Sequence, residues 1–135
     1  MTGRMPAPLL GLLIVVVEDD PDALSLFRTI FEYGGALVMS APGALSALEL
    51  LSRLRPDVLV SDMTMPEWDG AWLVTEARKR RLMNGVATLV VTALPMTPQQ
   101  VQHAGFDAYL RKPVDPHQLR NTVGALARPG THPTA

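Results

Sequence analysis

The sequence predicts an α/β fold in which one parallel five-stranded sheet is covered by helices on both faces. Short aliphatic runs alternate five times with segments whose apolar residues recur at helical spacing. Runs such as 12–17 and 58–60 contain almost no polar residue, which is typical of strands buried on both faces. Because crossovers between parallel strands are right-handed, this (βα)5 order gives a doubly wound sheet.

The first half of the chain supplies two strands and two helices. We expect the first strand at 12–17, followed by a helix that Asp20 caps, with Pro21 at its first position and Gly34 at its end. The second strand is predicted at 36–40. The helix after it is expected to carry four leucines on its buried side, namely Leu45, Leu48, Leu51 and Leu54.

The second half repeats the alternation three times. Each helix is introduced by a capping residue, a proline or a glycine, and a glycine turn precedes each of the last two strands. Strands are predicted at 57–61, 89–91 and 108–110, and helices at 69–82, 98–103 and 116–127.

Composition favours a single compact domain. The chain has 135 residues, of which 47% are hydrophobic and 19% charged, and its net charge is -1. We expect the domain to span 9–127, with a loose tail at 1–8, a disordered tail at 128–135 and no attached output domain. The cationic cluster 78–81 is interpreted as the solvated end of a helix, so no nucleic-acid partner is expected.

No segment predicts contact with a membrane. The longest apolar stretch, 9–17, is too short to cross a bilayer, which needs about 20 residues. It leads directly into acidic residues without a small-residue cleavage site, unlike a signal peptide. We therefore expect a cytoplasmic protein.

Polar residues follow four of the apolar runs. Glu18 and Asp19 come after the first strand, Asp62 after the third, Thr92 after the fourth and Lys112 after the fifth. The carboxyl ends of parallel strands face a common crevice in an open α/β sheet. The sequence therefore predicts that these side chains form one small site.

The chemistry of this site follows from its charge. Three carboxylates about 4 Å apart repel by roughly 4 kcal/mol per pair at an effective dielectric of about 20, so one takes up a proton or a hard cation binds. Mg²⁺ suits an all-oxygen site, with Asp19 and Asp62 as direct ligands and Glu18 holding a coordinated water. Asp62 could then attack phosphorus, while Lys112 and Thr92 stabilise the transferred group.

The set of motifs resembles the response-regulator receiver domain of two-component signalling, a flavodoxin-like fold. They stand at 16–21 (VVEDDP), 60–70 (VSDMTMPEWDG), 91–93 (VTA) and 109–113 (YLRKP). The resemblance implies that Asp62 accepts a phosphoryl group from a phosphohistidine on a sensor histidine kinase or phosphotransfer protein. It also implies Mg²⁺ bound by Asp19, Asp62 and the backbone carbonyl of Thr64.

The resemblance further implies how such a domain signals. Thr92 and Tyr109 match the positions of a conformational switch, in which the threonine hydroxyl moves toward the phosphate and the aromatic ring fills the vacated space. It also implies a candidate homodimer face formed by the fourth helix, fifth strand and fifth helix. Such a domain is a phosphoacceptor that assists its own phosphorylation and dephosphorylation, and is not otherwise an enzyme.

Three alternatives remain open at this point. A phosphatase with an aspartyl intermediate, of the haloacid-dehalogenase type, normally has a second aspartate two residues after the nucleophile, where this chain has Thr64. A receiver-like domain that binds partners without phosphorylation would not need the reactive groups. A flavin-binding protein would need a phosphate-binding loop after the first strand, and none follows.

Overall fold

The computed structural model describes residues 8–128, and the predicted doubly wound (βα)5 fold is confirmed. All four strand pairings are parallel, in the order β2-β1-β3-β4-β5. The predicted tails fall outside the described residues except for Pro8 and Arg128. The elements are β1 (Leu13–Val17), α1 (Pro21–Tyr33), β2 (Leu37–Ala41), α2 (Ala44–Arg53), β3 (Val58–Ser61), α3 (Gly70–Lys79), β4 (Ala87–Thr92), α4 (Pro98–Ala104), β5 (Ala108–Arg111) and α5 (Pro116–Ala127).

The sheet has an apolar core on each face. One core contains Phe27 and Phe31 of α1 and Leu119 of α5, and the other is built with α2, α3 and α4. Alternate residues of β1 enter opposite cores, Ile14 the first and Val15 the second. The central strands are therefore buried on both sides, as their aliphatic composition predicts.

The prediction for the buried side of α2 is wrong for the first and the last of the four leucines. Leu48 and Leu51 are buried, but Leu45 is 54% exposed and Leu54 lies beyond the helix as its C-cap. Leucines spaced three apart rotate by about -60° per step, so the first and last of four lie on opposite sides of a helix. The buried side instead begins at Ala44.

The capping prediction for α1 is also wrong in its mechanism. Asp20 occupies the N-cap position, but its side chain makes no capping hydrogen bond, and its own backbone N–H donates to Glu18 Oε2 at 3.1 Å. The predicted cap of α5 is confirmed, since Asp115 accepts from the backbone N–H of Gln118. Pro21 at the start of α1 and Gly34 at its end are confirmed as well.

Several element boundaries differ from the prediction by one to three residues. β2 lies one residue later than 36–40, α3 ends at Lys79 instead of near residue 82, and β4 is longer than 89–91 and includes Thr92. α3 ends inside the cationic cluster 78–81. Arg80 is its C-cap, and Arg81 has a left-handed backbone conformation, with φ 61°, that cannot continue the helix. Lys79 and Arg80 both pair with Glu76, so part of the cationic cluster is neutralised within the helix.

Among residues 8–128, no helix has both the length and the hydropathy to cross a bilayer.

The strand register explains how the polar residues meet. Val17 of β1 is level with Ser61 of β3, which is level with Val90 of β4. The residues that follow β1, β3 and β5 therefore emerge together at the carboxyl ends of the strands, beside the last residue of β4.

Candidate functional site

The three predicted carboxylates lie together at this edge. Glu18, Asp19 and Asp62 each offer an oxygen, and these oxygens all lie within 4.8 Å of one another. Glu18 is buried, Asp19 exposed and Asp62 intermediate, so the cluster opens to solvent on one side. This donor set and spacing fit a hard divalent cation that binds oxygen.

Lys112 contacts two of the three carboxylates directly. Its Nζ donates to Glu18 Oε1 at 2.7 Å and to Asp62 Oδ2 at 3.0 Å, and it lies 5.8 Å from the centre of the Phe27 ring. The single positive charge of Lys112 therefore offsets one of the three negative charges while contacting two of the carboxylates. The positions of the strand ends predict that these groups lie close together, but not which charges pair.

Burial and charge shift the pKa values of this pair. Burial raises the pKa of Glu18, with a smaller contribution from Asp62, and outweighs the hydrogen bonds from Lys112 and the Asp20 N–H, which lower it. Burial alone would lower the pKa of Lys112, but its hydrogen bonds to Glu18 and Asp62 together raise it. Lys112 therefore stays charged, whereas burial makes the ionised form of Glu18 less stable than it would be in water.

Hydrogen bonds from neighbouring residues and from Lys112 hold Asp62 in place. The N–H of Thr64 donates to Asp62 Oδ1 at 3.2 Å, and the Ser61 hydroxyl donates to the Asp62 backbone carbonyl at 2.7 Å. One carboxylate oxygen is thus held by the loop and the other by Lys112. The two side-chain bonds fix the orientation of the carboxylate.

Gly70 is a site residue that sequence analysis did not identify. A Cβ added there would lie 2.5 Å from the Asp62 carbonyl oxygen and 3.3 Å from Met63 Cα. Its N–H donates to the Met63 carbonyl at 2.8 Å, which ties the start of α3 to the loop. The signal available in the sequence was a glycine at the first position of a helix, where other residues form helix more readily.

The two predicted switch residues are joined through the backbone of one residue, Leu94. The Thr92 hydroxyl, which is buried, accepts from the backbone N–H of Leu94 at 3.3 Å. The Tyr109 hydroxyl donates to the carbonyl of the same residue at 2.7 Å. The Lys112 N–H also donates to the Thr92 carbonyl at 2.9 Å, so the fourth and fifth strand ends are connected at the site.

An aromatic pair lies in the segment that follows Asp62. Trp68, in the loop before α3, is exposed and stacks on Trp72 with ring centroids 4.4 Å apart and an interplanar angle of 21°. Glu67, immediately before it, has φ 72°, a left-handed conformation that non-glycine residues adopt rarely. The loop between Asp62 and α3 therefore carries an exposed tryptophan that a second aromatic ring supports.

Comparisons with known proteins agree with this geometry. The chain is 43% identical over 112 residues to the "Uncharacterized 14.6 kDa protein in sodA1 3'region" of Leptolyngbya boryana, covering 82% of this chain and 86% of that one. It is 32% identical over 126 residues to the Regulator of RpoS of Escherichia coli strain K12, covering 93% of this chain. The match spans only 37% of that regulator, so the chain corresponds to a part of it.

Solved structures show the same fold. The receiver domain of the Francisella response regulator 1452 superposes with a TM-score of 0.78 at 28% identity, covering 87% of this chain and 97% of that one. The receiver domain of the Pseudomonas aeruginosa sensor histidine kinase PA1611, solved with magnesium in its active-site cleft, superposes with a TM-score of 0.79 at 24% identity, covering 87% and 98%.

The family model described as "Response regulator receiver domain" matches residues 14–124, which include the three strand ends that form the carboxylate and lysine site. The chain belongs to the response regulator receiver domain family.

Proposed function

We propose that Asp62 is the phosphoacceptor of a two-component system and receives its phosphoryl group from a phosphohistidine on a sensor histidine kinase or phosphotransfer protein. The observation that carries the proposal is the position of Asp62, whose two carboxylate oxygens contact the Lys112 ammonium and the Thr64 N–H. A carboxylate held at both oxygens by donors has a fixed orientation, which favours attack on phosphorus.

In the proposed reaction, one Asp62 oxygen forms a bond to phosphorus as the bond from phosphorus to the donor imidazole nitrogen breaks. The electron pair of the broken bond stays on that nitrogen, which takes up a proton. Lys112 would follow the negative charge, exchanging its contact with Asp62 for one with a phosphoryl oxygen. The Thr92 hydroxyl would donate to another phosphoryl oxygen.

The same site fits Mg²⁺. Asp19 and Asp62 would be direct ligands, together with the backbone carbonyl of Thr64, and Glu18 would hold a coordinated water. Support comes from the three carboxylate oxygens within 4.8 Å of one another and from the magnesium in the PA1611 receiver domain. When bound, the ion would neutralise the acidic cluster and polarise the phosphoryl oxygens.

Signalling would pass through the link that joins Thr92, Leu94 and Tyr109. If the Thr92 hydroxyl turns toward a phosphoryl oxygen, it releases the Leu94 N–H, and the loop that carries the Tyr109 contact can move. The repacked surface would be that of α4, β5 and α5, which we also propose as a homodimer face. The chain would act in the cytoplasm as a phosphoacceptor without turnover of other substrates.

Intact-mass analysis tests the phosphoacceptor. The protein is incubated with acetyl phosphate, with and without Mg²⁺, and we expect a mass increase of one phosphoryl group that requires the metal. The Asp62→Asn variant should show none. Asp115→Asn is the matched control, because asparagine caps a helix as well as aspartate and the residue lies outside the acidic cluster. An unchanged mass increase in Asp62→Asn would refute the proposal.

The stacked aromatic pair suggests where the kinase binds. Exposed tryptophans anchor many protein interfaces. Trp68 lies six residues after Asp62 and stacks on the ring of Trp72. We expect Trp68→Ala to slow phosphoryl transfer from the kinase while transfer from acetyl phosphate is unchanged. An equal rate from the kinase in a folded Trp68→Ala variant would contradict this role.

A further inference from the structure

We propose that the free edge of β2 pairs with β2 of a second copy of this chain, in antiparallel orientation, to form a continuous ten-stranded sheet. The strand is the terminal strand of the sheet and has β1 as its single neighbour within residues 8–128. This dimer uses a different surface from α4, β5 and α5 and does not depend on phosphorylation. It therefore stands or falls separately from the function proposed above.

The backbone of β2 leaves two residues free to pair. The Leu37 N–H donates to the Leu12 carbonyl and the Ala41 carbonyl accepts from the Glu18 N–H, so both residues direct their backbone groups toward β1. Because these directions alternate along a strand, Val38 and Ser40 direct theirs outward. An antiparallel copy centred on Met39 sets Val38 opposite Ser40 of the second copy and forms four backbone hydrogen bonds.

The side chains at this edge favour association. Leu37 is 73% exposed and Met39 41% exposed, on the same face of the sheet as the buried Ala41. Centring on Met39 sets the two methionines opposite each other in a close non-hydrogen-bonded pair, and sets Leu37 opposite Ala41 of the second copy. Three apolar pairs are thereby removed from water.

The other edge of the sheet carries the protection that β2 lacks. Exposed edge strands are commonly guarded against pairing by charged residues and proline. β5 contains Arg111 and is followed by Lys112 and Pro113, whereas Leu37–Ala41 contains neither a charge nor a proline. Pro42 then ends the β2 edge, which limits pairing to the five residues described.

Charges beside β2 are self-complementary about the two-fold axis of this dimer, which passes between the two copies of Met39. Glu49 and Arg53 of α2 line a cavity of about 290 Å³ together with Ser40 and Ala41, which places them at the edge, where they pair at 2.9 Å. A second helix in antiparallel orientation reverses the order of the two charges. Each glutamate then faces the arginine of the other copy, so the contact is attractive on both sides of the axis.

Sedimentation velocity over a micromolar to millimolar range tests the proposal. We expect the wild-type protein to dimerise with rising concentration, and Met39→Lys to weaken dimerisation at least about tenfold, because it sets two like charges directly opposite each other. Leu26→Lys is the matched control, since Leu26 is an exposed leucine of α1 and takes no part in the pairing. A monomeric wild type at millimolar concentration, or a dimer undiminished by Met39→Lys, would overturn the proposal.

A charge-reversal pair tests the geometry of the contact. Glu49→Arg gives a copy with two positive charges at the edge, and Arg53→Glu gives a copy with two negative charges. We expect each variant alone to dimerise more weakly than the wild type, and an equimolar mixture to form heterodimers. If the mixture associates no better than the separate variants, the antiparallel arrangement is wrong.

Amide hydrogen exchange separates this dimer from one built on α4, β5 and α5. The outward N–H groups of Val38 and Ser40 should exchange slowly at high protein concentration and rapidly at low concentration. The Met39 N–H, which faces β1, should be protected at both concentrations. Concentration-dependent protection confined to β5 would overturn the assignment of the dimer to the β2 edge.

Discussion

Removal of the Lys112 ammonium should destabilise the metal-free protein strongly. In Lys112→Met the aliphatic stem is retained, but Glu18, whose side chain is 2% exposed, and Asp62 lose the cation that contacts both. Removing one partner of a buried ion pair costs about 3–5 kcal/mol. Lys112 is itself 23% exposed, so water partly replaces it and we expect a loss reduced by about 1 kcal/mol, to about 2–4 kcal/mol.

The expected loss is large enough for a thermal melt. An unfolding entropy of about 2.1 cal/mol/K per residue gives about 0.28 kcal/mol/K for this chain, so each kcal/mol lowers Tm by about 3.5 °C. Lys112→Met should therefore melt about 7–14 °C below the wild type in EDTA at pH 7. Added Mg²⁺ should restore part of the difference, because it would neutralise the same carboxylates.

The chain contains a matched control, since its two lysines have opposite surroundings. Lys79 is 71% exposed and pairs with Glu76 at 3.7 Å on the surface of α3. Lys79→Met should change stability by less than about 0.5 kcal/mol. A Lys112→Met variant that melts within the same margin would refute the claim that this ammonium holds the acidic cluster together.

The pH dependence has a defined sign. The folded-state pKa of Glu18 is raised above 4.5, so the folded protein binds this proton more tightly than the unfolded chain does. The charge on Glu18 therefore costs stability as pH rises through its folded pKa, and more so without Lys112. We expect the difference in Tm between wild type and Lys112→Met to shrink on acidification from pH 7 toward 4.5, and a constant difference would count against the mechanism.

Further predictions concern the packing around the site and the ends of the strands. Gly70→Ala forces a methyl group against the Asp62 backbone, so urea denaturation should show a loss of about 1–3 kcal/mol, together with slower phosphorylation by acetyl phosphate. Gly124→Ala should instead stabilise α5 by about 0.5–1 kcal/mol in the same titration, because its methyl group meets only ordinary contacts at 3.6 Å or more. Asp107→Ala removes the carboxylate that accepts from the N–H and hydroxyl of the buried Thr88, and guanidinium denaturation should show a loss of about 1–3 kcal/mol. A stable Gly70→Ala, a destabilised Gly124→Ala or an unaffected Asp107→Ala would each contradict the corresponding contact.

The sequence was sufficient to predict the sheet, because buried parallel strands require continuous aliphatic runs and few other structures tolerate them. It also predicted which strand ends carry polar groups. It could not predict that Lys112 binds Glu18 as well as Asp62, because that contact joins residues far apart in the chain and depends on side-chain direction. The prediction that Leu45 is buried was wrong because leucines spaced three residues apart turn progressively away from one face of a helix.

The close approach at Gly70 could not be predicted for a different reason. A glycine at the start of a helix is compatible with a turn, a cap or a contact, and only the position of the Asp62 carbonyl distinguishes them. At Asp20, residue type predicted a capping hydrogen bond, but the backbone N–H of this residue donates to the Glu18 carboxylate and its own side chain does not cap.

The connection between Thr92 and Tyr109 consists of main-chain atoms of Leu94. The side chain at position 94 can therefore vary in size, charge or polarity without cutting the mechanical coupling between hydroxyl and ring. Proline is the exception, because it has no N–H to give. Any other residue at this exposed position keeps both main-chain groups, so the hydrogen bonds to Thr92 and Tyr109 tolerate a wide range of side chains there.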